Sequence, residues 1–349
     1  MRKVQIILGP PGTGKTTKLL GIVEDALKRG IPPERIAYLA FTRKAAHEAA
    51  ERAMDQFGFD ESRFPYFRTL HSLAFKQLGL QRDEVMTNNH YRKFGKAMGV
   101  EFKGIYDEDL GIHTGDGLGD KCSRVESLAR VGLRTVEQQH HISKINDLTL
   151  HAVRQYDSAL RVYKHDNGLL DFTDMLEQYE SALPVDICIF DEAQDLSSLQ
   201  YRMAILASSQ ASEVYIAGDD DQAIFRYAGA DVDYFIGLQG SVTVLDQSYR
   251  IPATHHALSQ KVIQRVIDRR PKEFNPRDED GCINWHRHSE EVDMSSGEWL
   301  LLSRTTRGAK QIEEEVRRRG HLYIYNGSKS IDGKVLEAVR LWENLRGGG

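Results

Sequence analysis

Two short stretches of this chain carry residue types that together could hydrolyse a phosphoanhydride. Gly9-Pro10-Pro11-Gly12-Thr13-Gly14-Lys15-Thr16 satisfies G-x-x-x-x-G-K-[ST] completely and follows the apolar run Val4-Gln5-Ile6-Ile7-Leu8. Glycines at 9, 12 and 14 let the backbone curl with its N–H groups inward, and a helix beginning near Thr16 adds the positive end of its dipole. Lys15 then reaches the β- and γ-phosphates of a nucleotide, and the Thr16 hydroxyl ligates magnesium. In the second stretch, Ile187-Cys188-Ile189-Phe190-Asp191-Glu192-Ala193-Gln194-Asp195, an apolar run ends in adjacent carboxylates. Adjacent acids repel and lose solvation, a cost that a cation or a proton in transit offsets. Asp191 is therefore the candidate magnesium carboxylate, directly or through water, and Glu192 the group that orients attacking water. A solvated strand end is the plainer alternative for this pair taken alone.

Such groups work together only if strands deliver them to one edge. Ligands of open α/β sheets bind beyond the carboxyl ends of the strands, and the pattern predicts strands at Val4–Leu8, Arg35–Phe41, Val185–Phe190, Glu213–Ala217 and Ser241–Leu245. Helices are expected at Thr16–Arg29, closed by Gly30, and at Arg43–Phe57. The alternation describes a parallel sheet wrapped by helices. Asp191 lies 176 residues beyond Lys15, more than a minimal nucleotide-binding unit needs, so a segment is inserted. Leu70–Leu150 is the candidate: helix-like at both ends, with a glycine- and aspartate-rich middle, Gly104–Gly119, expected to be a mobile loop. After Arg250 a third α/β unit is expected, with a helix over Pro252–Arg269, strands near Cys282–Trp285 and Trp299–Leu302, and a helix over Thr305–Arg319. No short repeat is present, and the one low-complexity tract is Gly347-Gly348-Gly349.

Composition narrows the class. With 349 residues the chain can build two or more cores, and no apolar run has the length of a membrane span. The amino terminus enters a strand without a signal-peptide pattern, which makes a cytoplasmic location the default. Cys122, Cys188 and Cys282 are odd in number and widely spaced, as reduced thiols are. His140-His141, His255-His256 and the His286/His288 pair lack partners at metal-ligand spacing and read as surface or helix histidines. A net charge of −5 gives no bulk argument for nucleic acid. Locally, Arg63–Lys103 sets eight cations against Asp83, Glu84 and Glu101, interleaved with Phe64, Tyr66, Phe67, Phe75, Tyr91, Phe94 and Phe102. That mixture suits a single-strand groove, cations for phosphates and rings for bases, or equally helices with basic outer faces and aromatic cores.

In order and spacing these residues resemble the UvrD/Rep/PcrA-type DNA helicases of superfamily 1A, over nearly the whole chain. Gly9 to Thr17 looks like that family's motif I, Ala40-Phe41-Thr42-Arg43-Lys44-Ala45-Ala46 like motif Ia, and Arg68-Thr69-Leu70-His71-Ser72 like motif Ib. Asp171-Phe172-Thr173-Asp174-Met175-Leu176 resembles the short D-F-x-D-L-L motif, and Asp191 to Asp195 resembles D-E-x-Q-D. Gly218-Asp219-Asp220-Asp221-Gln222-Ala223-Ile224-Phe225 is similar to motif III and Gln247-Ser248-Tyr249-Arg250 to motif IV. The fold implied is a RecA-like P-loop NTPase sheet, residues 1–69 and 151–246, with a mainly helical 1B-like insertion at 70–150. A partial second RecA-like domain follows at 247–349.

The resemblance implies an ATP-dependent helicase or translocase that uses ATP and Mg2+ and moves 3′ to 5′ on single-stranded DNA or at a single/double-strand junction. Gln222 would bond both the γ-phosphate and the DNA-facing loop, Arg250 would act as an arginine finger, and Tyr249 would stack on the base. Nucleotide contacts run from Gly9, Pro10, Pro11, Gly12, Thr13, Gly14, Lys15, Thr16 and Thr17 to Tyr249 and Arg250. Phe41, Thr42, Arg43, His71, Phe225 and Tyr227 would face DNA. Core packing competes for Phe41, Phe225 and Tyr227, as a helix start does for His71. Phe225 and Tyr227 stand where the family has tyrosine and tryptophan, so aromatic character is kept. Departures accompany the matches. The family's upstream glutamine motif has no place before the first strand, and Thr17 replaces an arginine that packs on the base, with Lys18 as a substitute. Leu301-Leu302-Ser303-Arg304 and Tyr323-Ile324-Tyr325-Asn326-Gly327 are similar to the first half of the second motor domain, while motifs V and VI and the 2B domain have no counterpart. A partner chain or a further C-terminal region would then complete the motor. The alternatives are a regulatory or structural subunit that binds nucleotide and DNA without unwinding, and an RNA-directed motor.

Overall fold

The structure, a computed structural model, describes residues 2–108, 110–325, 327–331 and 333–346. Asn326 of the expected Tyr323–Gly327 motif and the terminal Gly347–Gly349 lie outside them. The chain divides into two compact units, Met1–Gly281 and Cys282–Gly349.

The first unit opens with β1 (Lys3–Leu8), α1 (Lys15–Lys28), β2 (Ile36–Ala40), α2 (Arg43–Phe57), β3 (Phe67–Thr69), α3 (Leu70–Gln77) and α4 (Asn88–Met98). A small hairpin, β4 (Tyr106–Asp107) and β5 (Ile112–His113), precedes α5 (Leu118–Val131), α6 (Val136–Ser143), α7 (Leu150–Asp166) and α8 (Phe172–Glu177). Next come β6 (Ile187–Asp191), α9 (Ser198–Ala207), β7 (Glu213–Gly218), α10 (Val232–Gly237), β8 (Ser241–Val244), β9 (Gln247–Pro252), α11 (Ala253–Ile263) and β10 (Asn275–Arg277).

Six strands form one sheet in the order β3-β2-β6-β7-β1-β8, every neighbouring pair parallel. Successive side chains of a strand point to opposite faces, and each face has its own core. Ile7, Tyr38, Ala40, Ile187 and Ile189 pack with Leu19, Leu20 and Val23 of α1 and with Ala46, Ala49, Ala50 and Ala53 of α2. Ile6, Leu8, Leu39, Cys188, Phe190 and Val214 pack on the other face with α3, α5, α7, α8 and α9. Each fully buried Leu or Ile contributes about 1.5–3 kcal/mol. Burial on both faces is why these strands read as continuous apolar runs.

The inserted segment is ordered by polar pins. Asp120, fully buried, accepts from the backbone N–H groups of Lys103 at 2.8 Å, Gly104 at 3.2 Å and Gly117 at 3.0 Å. The segment expected to be a mobile loop carries the β4/β5 pairing and is held at both ends by Asp120. The Asp171/Asp174 motif is a fastener: Arg130 of α5 reaches Asp171 at 2.9 Å and Asp174 at 2.5 Å, and Lys164 of α7 reaches the same two acids at 2.5 and 2.6 Å. The ring-rich stretch at 63–103 resolves toward packing, since Phe64, Phe67, Tyr91 and Phe94 are core residues.

Beyond the sheet two expectations are corrected. The helix expected to reach Arg269 ends at Ile263, because the chain turns to pair Arg269 with Asp221 at 2.8 and 2.5 Å. In the second unit, α12 (Thr306–Arg318), a two-residue hairpin β11/β12 (Ile324–Tyr325 with Ser328–Lys329) and α13 (Gly333–Arg346) form. Cys282–Trp285 and Trp299–Leu302 form no strands: neither pairs with another segment among the described residues, and an unpaired strand is not stable in water.

Candidate functional site

The phosphate loop leaves β1 at Leu8 and is tied to the next strand by Gly9, whose N–H donates to the Gly218 carbonyl at 3.0 Å. Gly12 and Gly14 take φ of +74° and +78°, a region that strains any side chain. At Gly12 space forbids one too, since a Cβ would lie 2.3 Å from Arg250 Cβ. Thr13, buried, closes the loop by donating its hydroxyl to the Pro10 carbonyl at 2.8 Å. Helix α1 starts at Lys15 and turns its N-terminal N–H groups toward the loop. Thr16 is half-buried, whereas Thr17 and Lys18 are exposed.

Strand β6 delivers the acids. Asp191 is buried; its carboxylate accepts from the Tyr38 hydroxyl at 2.7 Å and the Glu192 N–H at 2.9 Å. Burial raises its pKa, with Lys15 opposing. Glu192 leaves the strand at φ +53°, a left-handed conformation rare outside glycine, and its Oε2 lies 2.6 Å from Lys15 Nζ.

Two glutamines extend this pair. Gln194 Nε2 donates to Glu192 Oε2 and to Asp195 Oδ2, each at 2.9 Å, while its Oε1 accepts from the Asp219 N–H at 3.0 Å. Gln222 Nε2 donates to Asp219 Oδ2 at 2.6 Å and to the Gly9 carbonyl at 3.4 Å. Because β7 lies between β1 and β6, Asp219 and Gln222 emerge between the phosphate loop and the acids. Strand β9 docks on the loop: the buried Ser248 hydroxyl donates to the Pro11 carbonyl at 2.7 Å and the Tyr249 N–H to the Gly12 carbonyl at 2.9 Å. The side chains of Tyr249 and Arg250 remain exposed beside it.

A second group of residues adjoins the first. Phe41, at the end of β2, and Phe225 have ring centroids 5.6 Å apart, and Tyr227, exposed, lies 6.3 Å from Phe225. His71 meets Phe172 edge-on at 5.7 Å, and burial, then Arg43, pushes its pKa down to about 4. Thr42 caps α2, its hydroxyl accepting from the Ala45 N–H at 3.2 Å, and Arg43 pairs with Glu108 beside the β4/β5 hairpin at 2.8 Å. Phe41, His71, Leu110, Gly111, Asp195 and Phe225 line one cavity. Asp195 thus touches both groups: Gln194 holds one of its oxygens, and the other, Oδ1, is buried without a hydrogen-bond partner among the described residues. Burial, then the Glu192 charge, pushes its pKa up to about 7.

Residues 1–243 match the model of the UvrD/REP helicase N-terminal domain. The chain belongs to the UvrD/REP helicase family. Among relatives of this UvrD/REP chain, YjcD of Bacillus subtilis is 27% identical over 281 residues, 73% of this chain and 35% of its own length. The ATP-dependent DNA helicase srs2 of Schizosaccharomyces pombe is 25% identical over 363 residues, 92% of this chain and 39% of its own. The ATP-dependent DNA helicase PcrA of Bacillus subtilis is 23% identical over 390 residues, 97% of this chain and 51% of its own. The chain therefore spans about a third to a half of the length of these relatives.

Several residues that shape this UvrD/REP site carried no chemical role in the sequence reading. Tyr38, which fastens Asp191, sits mid-strand in an apolar run and gives no signal. Ser248 and Asp219 stand inside motifs, where the neighbouring Arg250 and Gln222 drew the roles. Among the described residues no cluster of His, Cys, Asp and Glu could hold a metal by itself, and no helix is long and apolar enough to cross a membrane.

Proposed function

We propose that this chain hydrolyses ATP and couples the hydrolysis to single-stranded DNA, as part of a translocating helicase motor. The observation that carries the proposal is the continuous hydrogen-bonded path from Lys15 through Glu192 and Gln194 to Asp195, which lines the cavity beneath Phe41 and Phe225.

The donor set fits a magnesium-bound triphosphate: a loop with Gly12 and Gly14 at positive φ before the N-terminus of α1, one ammonium, one hydroxyl and one buried carboxylate. Magnesium, when bound, would be held by Thr16 and Asp191 and would neutralise charge on the β- and γ-phosphates. Lys15 binds the phosphates, and each contact it makes there releases Glu192 to orient and deprotonate water. Gln222, hinged on Asp219, senses the terminal phosphate, and Arg250, brought over the loop by Ser248, offsets the developing charge. Phe41, Phe225 and Tyr227 stack on bases, Arg43 meets the backbone, and neutral His71 donates a hydrogen bond. Tyr249 stacks on the nucleotide base. The 3′ to 5′ direction rests on the family resemblance, as does the division into a first motor domain (1–69 and 151–246), an insertion (70–150) and the beginning of a second motor domain (247–349).

The test is binding of ATP and of a single-stranded oligonucleotide, measured separately and together, on wild type and on Lys15→Ala. Tighter DNA binding or release on adding nucleotide, lost in Lys15→Ala, supports the coupling; DNA affinity indifferent to nucleotide refutes it. A matched RNA oligonucleotide in the same titration decides which nucleic acid the groove takes.

A further inference from the structure

The loop after β7 carries three consecutive acids, Asp219, Asp220 and Asp221, with side chains 0%, 1% and 15% exposed. Three adjoining carboxylates cannot share a buried site unless cations accompany them. Lys272 supplies one, itself 1% exposed, with Nζ 3.0 Å from Asp219, 2.6 Å from Asp220 and 3.1 Å from Asp221. Arg269 closes on Asp221 through two hydrogen bonds, and the Arg270 N–H donates to Asp220 Oδ2 at 2.8 Å. The Arg270 guanidinium also donates to the carbonyls of Phe235 and Leu238.

This cluster is more than a fastening, because of how the two oxygens of Asp219 are divided. Oδ1 faces Lys272 at 3.0 Å and accepts from the Asp221 N–H at 3.2 Å, while Oδ2 accepts from Gln222 at 2.6 Å. The same residue's N–H donates to Gln194, which bonds Glu192. Lys272, together with the Asp221 N–H, thereby holds Oδ1 and leaves Oδ2 turned toward Gln222. On the chain, Lys272 follows Arg250 by 22 residues, through β9 and α11. A side chain anchored beyond Arg250 therefore sets the acid from which Gln222 hangs.

We infer that Lys272 is a positioning residue for recognition of the terminal phosphate: it orients Asp219, and through it Gln222, and ties that orientation to the segment bearing Arg250. The inference rests on the proposed ATP site. Buried and enclosed, the cluster is little screened by salt, so its influence persists at physiological ionic strength.

The experiment compares affinities of the intact chain for ADP and for a non-hydrolysable ATP analogue, in wild type, Lys272→Met and Lys272→Gln. ADP has no terminal phosphate for Gln222 to meet, so its affinity stays unchanged, whereas loss of one well-placed hydrogen bond to the terminal phosphate weakens the analogue about ten-fold. Lys272→Gln, which keeps an amide donor for Asp220, folds even if Lys272→Met does not, and shows the same selective loss to a smaller degree. Affinities that fall together, or that both stay unchanged, overturn the assignment. Wild type that binds neither nucleotide overturns the proposed function itself, which separates the two failures.

Discussion

Lys15 Nζ and Glu192 Oε2 lie 2.6 Å apart, so the cation proposed to receive phosphate and the carboxylate proposed to activate water satisfy each other. On the proposed reading, phosphate competes with Glu192 for the same ammonium, and the arrival of substrate would unmask the base. Glu192→Gln removes the negative competitor and the base together. Nucleotide affinity is expected to hold or rise, while turnover falls by about 10²–10⁴-fold, the usual worth of a general base. Equilibrium binding and steady-state ATPase on one preparation check it; unchanged turnover removes Glu192 from that role.

Ser248 anchors the Arg250 strand to the loop through a hydroxyl on the Pro11 carbonyl, and also accepts from the Ile251 N–H at 3.1 Å. Ser248→Ala deletes these bonds at a fully buried position, and a loss of about 1–2 kcal/mol in urea-unfolding stability is expected. The Michaelis constant for ATP rises as well, because Arg250 is no longer held over Gly12. A variant with lower stability and unaltered ATP kinetics would make Ser248 a packing residue only.

Arg43 is contacted by Glu108, an anion where a DNA phosphate is expected. Exposed pairs of this kind are worth at most about 1 kcal/mol, so Glu108→Gln should tighten single-stranded DNA binding by no more than about five-fold. The gain shrinks as salt is raised. Fluorescence anisotropy at two salt concentrations tests this, and weaker binding by Glu108→Gln would show that the carboxylate organises the groove rather than competing for it.

Asp195 gives the site a pH dependence with a definite sign. Its folded pKa of about 7 exceeds the ordinary aspartate value of about 3.9, so between these limits the folded chain holds a proton that the unfolded chain has released. Its contribution to stability is full near pH 4, falls as pH rises toward 7 and is lost above it. Asp195→Asn abolishes that component, and its unfolding free energy should decline less than that of wild type between about pH 5 and pH 8. Parallel pH profiles would contradict it.

The central sheet was legible in the sequence because its strands are buried on both faces and spell unbroken apolar runs, as at Ile187–Asp191. The phosphate loop was legible because glycine positions and a lysine at fixed spacing have few other uses. What escaped were relations set by tertiary contact: Tyr38 under Asp191, Ser248 on Pro11, Lys272 among three acids. Each joins residues too far apart in sequence for local pattern to register. The interleaved rings and cations of 63–103 gave the opposite lesson, since periodicity could not separate a groove from a core, and burial of Tyr91 and Phe94 favours packing. The strands expected at Cys282–Trp285 and Trp299–Leu302 had the composition of strands but pair with no segment among the described residues.

The most direct test of nucleotide–DNA coupling is steady-state ATP hydrolysis by the intact chain with and without single-stranded DNA, in wild type and in a Phe41→Ala, Phe225→Ala double variant. DNA should raise the turnover of wild type about ten-fold or more, a barrier change near 1.4 kcal/mol, and the double variant should keep its basal rate while losing the stimulation. Hydrolysis that ignores DNA in wild type, or stimulation that survives removal of both rings, would contradict the account.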